Sequence, residues 1–131
     1  MKKYGHPKSA RLSAKADFKA ALEHKLLARN GLMTLYAKPN VDEKTRFGVS
    51  VSSKITSAVG RNRLKRLSKE AFRLSRDTVR GNFDYLIIFS PLLSRTKSCD
   101  INKLGLKDIR DSFLELLGQV YKRFEDRQDK N

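Results

Sequence analysis

Residues 61–73, with the sequence RNRLKRLSKEAFR, have the pattern of an amphipathic helix. When successive residues are placed about 100° apart, the apolar side chains fall on one narrow stripe. The stripe consists of Leu64, Leu67, Ala71 and Leu74. Most of the stability of such a helix comes from packing its apolar side on other elements. The segment therefore predicts a domain in which this helix lies on a core.

The polar side of the same helix is almost entirely cationic. Its cations, with Asn62 and Phe72 placed among them, are Arg61, Lys65, Arg66, Lys69, Arg73 and Arg76. Glu70 is the only acid in residues 61–76. An ordinary solvated helix face mixes acids and bases, which pair four residues apart. The pattern therefore predicts a surface that binds a phosphate backbone.

The whole chain is strongly basic. Its 131 residues carry 29 Lys and Arg against 14 Asp and Glu, a net charge of +15. This length predicts one domain, and the excess charge causes self-repulsion unless a polyanion neutralises it. Nucleic acid, a membrane surface and an acidic protein are candidate partners. Because the longest apolar run, residues 85–89, is too short to anchor in lipid, we predict a nucleic-acid partner, no membrane association and no small-molecule substrate.

Cysteine usage predicts a reducing compartment. Cys99 is the only cysteine, so no internal disulfide can form, and no secretory leader pattern opens the sequence. We expect a cytoplasmic protein in which Cys99 has no chemical role.

The order of helical and extended segments predicts an α/β fold. We expect a basic flexible arm at 1–10, a single domain at 11–124 and a polar tail at 125–131. Inside the domain the apolar pattern predicts a first helix to about 27 and then two or three strands, of which those at 32–36 and 47–51 pair as an antiparallel hairpin. The basic helix, a strand at 85–89 and a helix at 106–124 follow. The fold class is a small two-layer sandwich in the order αβββαβα, with an approximately four-stranded mixed sheet and helices packed on it.

Residues suited to catalysis or metal binding are scarce. His6 and His24 are the only histidines and lack metal-ligand spacing, while Asp108 and Asp111 have basic neighbours. No glycine-rich nucleotide-binding motif occurs. We therefore predict no catalytic residue, no metal ligand and no firmly bound cofactor. This disfavours a self-sufficient nuclease, whereas a ribosomal or DNA-binding module stays open because a basic helix can also enter a major groove.

Two aromatic side chains could add base stacking to the cationic surface. Tyr36 is expected on the strand face opposite Leu35, and Phe18 lies on the first helix beside several cations. Cations together with stacking rings suit single-stranded or structured RNA. Lys54 is expected at the edge of the same surface. In the alternative reading, both rings simply pack between helix and sheet.

The central block of the sequence is longer and more specific than a basic helix alone. It consists of RFGVSVS at 46–52, Lys54-Ile55, Ala58, RNRLKRL at 61–67 and Ala71-Phe72-Arg73. This block resembles the bacterial ribonuclease P protein subunit, whose signature is the Arg-Asn-Arg box. The resemblance extends in weaker form from Arg11 through the last helix.

The resemblance implies a protein that does not cut RNA itself. It would be the subunit of an endoribonuclease in which a catalytic RNA, with RNA-bound Mg²⁺, removes the 5′ leader from precursor tRNA. The residues implied to contact the catalytic RNA are Arg61, Asn62, Arg63, Lys65, Arg66, Lys69 and Arg73. A cleft between the first helix and one sheet face would receive the leader through Phe18, Tyr36 and Lys54. The chain departs from the family pattern at Leu22, Ser53 and Ser90.

Overall fold

The chain forms three helices and four strands in the predicted order αβββαβα, within the residues that the computed structural model describes, 15–40, 44–90 and 103–129. The elements are α1 (Lys15–His24), β1 (Leu27–Arg29), β2 (Met33–Pro39), β3 (Arg46–Ser50), α2 (Ala58–Leu74), β4 (Phe83–Phe89) and α3 (Leu106–Asp129). The predicted arm at 1–10 and Cys99 lie outside the described ranges.

The four strands form one mixed sheet in the order β1-β2-β4-β3. β4 is antiparallel to β2 and parallel to β3, so that Leu86 lies between Tyr36 on one side and Gly48 on the other. The predicted hairpin between β2 and β3 is wrong, because β4 separates them. Six of the seven β4 residues are buried, and a strand that is apolar on both faces takes a central position. The chain therefore crosses from β3 through α2 to reach its parallel neighbour.

A short strand that begins where the predicted first helix was expected to end completes the sheet. α1 ends at His24, and Lys25 has a φ of 59°, the left-handed conformation that often follows a helix end. The chain then enters β1, which pairs antiparallel with β2. The Asn30 side chain closes this connection by accepting the N–H groups of Leu32 and Met33 at 2.9 and 3.0 Å. The first helix is thus shorter than predicted.

One face of the sheet packs against α2 and α3 and forms the main core. Alternate β2 residues point into it and are fully buried: Met33, Leu35 and Ala37. On the other face, α1 buries Ala21 against Leu86 of β4. Helices therefore lie on both faces of the predicted mixed sheet, and α1 covers only part of its own face.

The buried side of α2 is rotated from the predicted stripe. Leu64 is buried as expected, but Leu74 is 42% exposed and Phe72, predicted on the cationic side, is only 3% exposed. The Phe72 ring stacks on Phe47 with centroids 4.4 Å apart. An aromatic ring buries a large apolar area, so the helix turns toward Phe72. Ser68 fits this buried side because its hydroxyl donates to the Leu64 carbonyl at 2.8 Å.

The last helix is longer than the apolar pattern predicted. α3 continues to Asp129, so the stretch predicted as a polar tail begins inside it. The Arg127 guanidinium donates to the Lys25 carbonyl at 2.7 Å, and Arg123 donates to the Leu27 carbonyl. These bonds satisfy carbonyls just after α1 and at the start of the edge strand β1.

Candidate nucleic-acid interface

The start of α2 is fixed against the turn that follows β3. Ser57 is the N-cap residue, and its hydroxyl accepts the Gly60 N–H at 3.2 Å. Gly60 is buried under Thr56, where an added Cβ would lie 2.8 Å from the Thr56 methyl carbon. Arg61 donates to the Thr56 carbonyl at 3.0 Å. Arg61, the first cation of the helix, is therefore bonded to the same turn, Thr56–Ser57, that caps the start of the helix.

Beyond this anchor, α2 presents cations that form no ion pair with an acid in the part of the chain that the structure describes. We call Arg61, Lys65, Arg66 and Lys69 the cationic face. Arg66 and Lys69 are exposed and Lys65 is half-buried. None of the ion pairs between described residues involves these three side chains. The first turn of α2 contains no acid, so the positive end of the helix dipole adds to the side-chain charge and favours a bound phosphate.

Asn62 belongs to the exposed surface of α2. Two other predicted contact residues, Arg63 and Arg73, are half-buried and bond to other groups of the protein. Arg63 donates to the Leu104 carbonyl at 2.6 Å and so links α2 to the segment before α3. Arg73 forms an ion pair with Glu70. Hydrogen bonds from Arg73 hold the pKa of Glu70 below its usual value, so this carboxylate stays ionised and offsets the Arg73 charge. The unneutralised charge is therefore concentrated between Arg61 and Lys69.

Phe18 and Tyr36 lie together on the sheet face that α1 covers. They pack with Ala21, Leu86 and Ile88, which we call the α1–sheet cluster. Tyr36 points away from the main core, as the strand alternation predicted, because its neighbour in β2 points into that core. Both rings are half-buried. They pack between helix and sheet, and each keeps part of its surface open.

Beside the α1–sheet cluster, the uncovered part of the sheet face forms a groove of about 670 Å³. It is lined by Arg29, Asn30, Gly31, Thr34, Ile88, Phe89 and Ser90. Because Ile88 belongs to both the cluster and the groove, the two rings lie next to this concave surface. Arg29 supplies a cation there that sequence analysis missed, since β1 itself was not predicted.

The remaining predicted contact, Lys54, lies in the turn that follows β3. It is exposed in the turn between β3 and α2, where its N–H donates to the Ser52 hydroxyl at 3.2 Å. Leu22, which stands at a departure from the family pattern, is 39% exposed on α1 and lies outside the α1–sheet cluster. The predicted residues on α2 thus form one set and Phe18 with Tyr36 form another, and the expected contact of Lys54 with the leader stays a prediction.

A polar network that sequence analysis missed joins α1 to the sheet. Arg46 binds Asp84 through Nε to Oδ1 at 2.8 Å and Nη2 to Oδ2 at 2.7 Å. Its Nη1 reaches Asp17 of α1 at 3.2 Å, and the Asn40 amide donates to Asp84 at 2.8 Å. We call these four residues the Arg46 network. An acid inside the apolar β4 run is the sequence signal for it, because a buried carboxylate needs a cation.

The described ranges contain neither a cluster of metal ligands nor a membrane-spanning helix. No group of three or more His, Cys, Asp or Glu side chains there could hold a metal ion. None of the helices in the same ranges is long and apolar enough to span a membrane.

Comparison with known proteins identifies the family. The Ribonuclease P family model matches residues 6–117 of the chain. The chain belongs to the ribonuclease P protein family. The ribonuclease P protein component of Methylococcus capsulatus is 36% identical over 104 residues, which cover 79% of this chain and 77% of that protein. The component from Desulforapulum autotrophicum is 31% identical over 123 residues, covering 94% and 95%.

Solved structures agree with this family. The RNase P protein from Thermotoga maritima matches with a TM-score of 0.72 and 26% identity, covering 83% of this chain and 96% of that one. The RNase P protein from Staphylococcus aureus has the same fold, with a TM-score of 0.68 and 24% identity, covering 85% and 94%. The predicted fold class and the family resemblance are both confirmed.

Proposed function

We propose that the protein is the RNA-binding subunit of ribonuclease P and assists a catalytic RNA in removing the 5′ leader from precursor tRNA. Family membership supports this proposal. The observation that carries it is the cationic face, whose Lys65, Arg66 and Lys69 have no acid partner among the described residues. The other side of the same helix is locked into the core through Leu64 and Phe72.

The cationic face would bind phosphates of the catalytic RNA. A folded RNA concentrates phosphates, and each Lys or Arg that neutralises one releases condensed counterions, which makes binding favourable and dependent on salt. Because α2 is fixed by the core and by its N-terminal contacts, the backbone positions from which its cations extend are set before binding. The catalytic centre would belong to the RNA together with its Mg²⁺. This chain would contribute positive charge that reduces repulsion between the catalytic RNA and its substrate.

The α1–sheet cluster and the groove beside it would bind the leader as a single strand. Bases would stack on the open parts of Phe18 and Tyr36, since every base offers a flat face for stacking. Arg29 would meet a backbone phosphate in the groove. Mature tRNA lacks the leader, so this contact would favour precursor over product.

Reconstituted cleavage tests the proposal. The purified chain would be mixed with a ribonuclease P RNA and precursor tRNA at a low Mg²⁺ concentration, at which the RNA alone cuts slowly. We expect the chain to restore accurate cleavage at the leader junction. Polylysine of equal total charge is the control, and it should not restore accurate cleavage, because it lacks a folded surface.

Three other results would contradict the proposal. Cleavage by the chain and Mg²⁺ without RNA would indicate a self-sufficient nuclease. RNA binding with no gain in cleavage would indicate a ribosomal or other nucleic-acid-binding module. Equal stimulation by polylysine would show that charge alone acts.

The cytoplasmic location expected from the sequence stays a prediction.

A further inference from the structure

We propose that Asp17 and Arg46 are positioning residues for leader binding. In this inference, which rests on the proposed function, the Arg46 guanidinium joins α1 to the sheet and sets the orientation in which Phe18 lies beside Tyr36. Asp17 directly precedes Phe18 in α1, so a shift of its carboxylate would move the ring as well.

Fully buried apolar contacts of α1 are few among the described residues. The helix has 10 residues, of which only Ala21 is buried. A helix this short is marginal in water without tertiary contacts. Its buried partner in the α1–sheet cluster is Leu86 alone. Polar contacts add to them at both ends of the helix: Asp17 with Arg46 in the first turn, and Arg127 with the Lys25 carbonyl after the last.

Arg46 is a rigid anchor for this contact. Two parallel hydrogen bonds to Asp84, which is 2% exposed, fix the plane of its guanidinium. The Asn40 amide holds the same carboxylate from another direction. A side chain fixed in this way can hold Asp17 at one place relative to β3 and β4, which a flexible surface cation could not do.

Charge considerations show that Asp17 is not needed for neutralisation. Asp84 already compensates Arg46, and the chain carries a net charge of +15. An acid beside an RNA-binding surface opposes binding by repelling phosphates. Electrostatics alone therefore predicts that removing the Asp17 charge strengthens RNA binding, whereas the positioning role predicts that it weakens binding of the leader. The two accounts therefore predict opposite changes in the affinity for precursor tRNA.

The test compares Asp17→Asn with Glu23→Gln in the assembled complex of protein and ribonuclease P RNA. Both variants remove one negative charge from α1, but within the described ranges the ion pair of Glu23 is with the exposed Lys19, at 3.9 Å. Dissociation constants are measured for precursor tRNA and for mature tRNA. We expect Glu23→Gln to bind precursor at least as tightly as the unmodified protein. Asp17→Asn should bind precursor on the order of tenfold more weakly, with mature tRNA unchanged, because a small misplacement of a binding group is costly.

Asp17→Glu is the conservative variant, and Tyr36→Ala is the control for the cleft itself. Asp17→Glu keeps a carboxylate that can reach Arg46 and should recover most of the precursor affinity. The inference is overturned if Asp17→Asn binds precursor as tightly as Glu23→Gln while Tyr36→Ala binds it weakly, and the proposed function then stands. If Tyr36→Ala also leaves precursor affinity unchanged, the leader cleft is wrong. Unfolding of Asp17→Asn, or equal loss for precursor and mature tRNA, would show a purely structural role and would also overturn the inference.

Discussion

At the scale of single residues, aromatic side chains have two different uses in this protein. Phe72 and Phe47 stack inside the main core, whereas Phe18 and Tyr36 keep open surface beside a groove. The sequence pattern placed Phe72 among the cations, because helical spacing alone cannot tell how far a large ring turns the helix toward the core. Substitutions should therefore distinguish the two uses: a core ring should affect stability, and a ring with open surface should affect RNA binding.

Replacing Phe72 with Leu should lower stability and leave RNA binding intact. The smaller side chain loses the stack on Phe47, and we expect a loss of about 1–3 kcal/mol in the free energy of unfolding, measured by urea denaturation. Leu74→Ala is the control, because Leu74 is 42% exposed on the same helix and should change stability little. Weaker RNA binding by Phe72→Leu at unchanged stability would contradict the core assignment.

Replacing Tyr36 with Ala should reduce the preference for precursor over mature tRNA. A lost base stack is worth about 1–3 kcal/mol. The dissociation constant for mature tRNA divided by that for precursor tRNA, both measured with the assembled complex, should therefore fall. Leu22→Ala is the matched control, since it removes apolar area from α1 outside the α1–sheet cluster. Equal effects of the two substitutions would show that Tyr36 has no specific role.

At the scale of helices and strands, the sequence predicted those elements whose pattern of apolar residues lies within one continuous segment. The helical spacing in α2 and α3 and the apolar run of β4 depend on neighbouring residues and can be seen in the sequence. β1 has only three residues and could not be recognised. The apolar run of β4 favours a central strand, but the identity of its neighbours, β2 and β3, depends on pairing between distant segments, which local patterns do not encode.

The candidate site shows the same division between local and distant information. The cations of α2 follow from one stretch of sequence, and Tyr36 follows from strand alternation. The Arg46 network does not, because Arg46 and Asp84 become neighbours only through the parallel register of β3 and β4. The sequence also could not show that Arg63 bonds to the distant Leu104 carbonyl, whereas the pair of Arg73 with Glu70, three residues apart on one helix, is local.

The junction between the β3 turn and α2 gives a prediction at this scale. Gly60→Ala places a Cβ against the Thr56 side chain, and relief of such overpacking costs about 1–3 kcal/mol of stability. Thermal or urea unfolding should show a smaller cost in a Thr56→Ala background, where the closest atoms are removed. Equal costs in both backgrounds would mean that this contact does not hold the start of α2.

At the scale of the whole molecule, net charge links stability and binding in opposite directions. Because the charge of +15 is self-repelling, added NaCl should raise the melting temperature of the free protein as the Debye length falls from about 10 Å at 0.1 M to about 3 Å at 1 M. The variant Lys65→Gln/Arg66→Gln/Lys69→Gln should show a weaker rise. A melting temperature that falls with NaCl would contradict this view of the free protein.

The salt dependence of binding to ribonuclease P RNA tests most directly whether the cationic face binds phosphates. The logarithm of the association constant would be measured against the logarithm of salt concentration for the unmodified protein and for Lys65→Gln/Arg66→Gln/Lys69→Gln. Each lost phosphate contact should reduce the slope by about 0.7–0.9, so the triple variant should lose a slope of about 2–3. A slope that is flat for the unmodified protein, or unchanged by the three substitutions, would show that the RNA is bound elsewhere or by other forces.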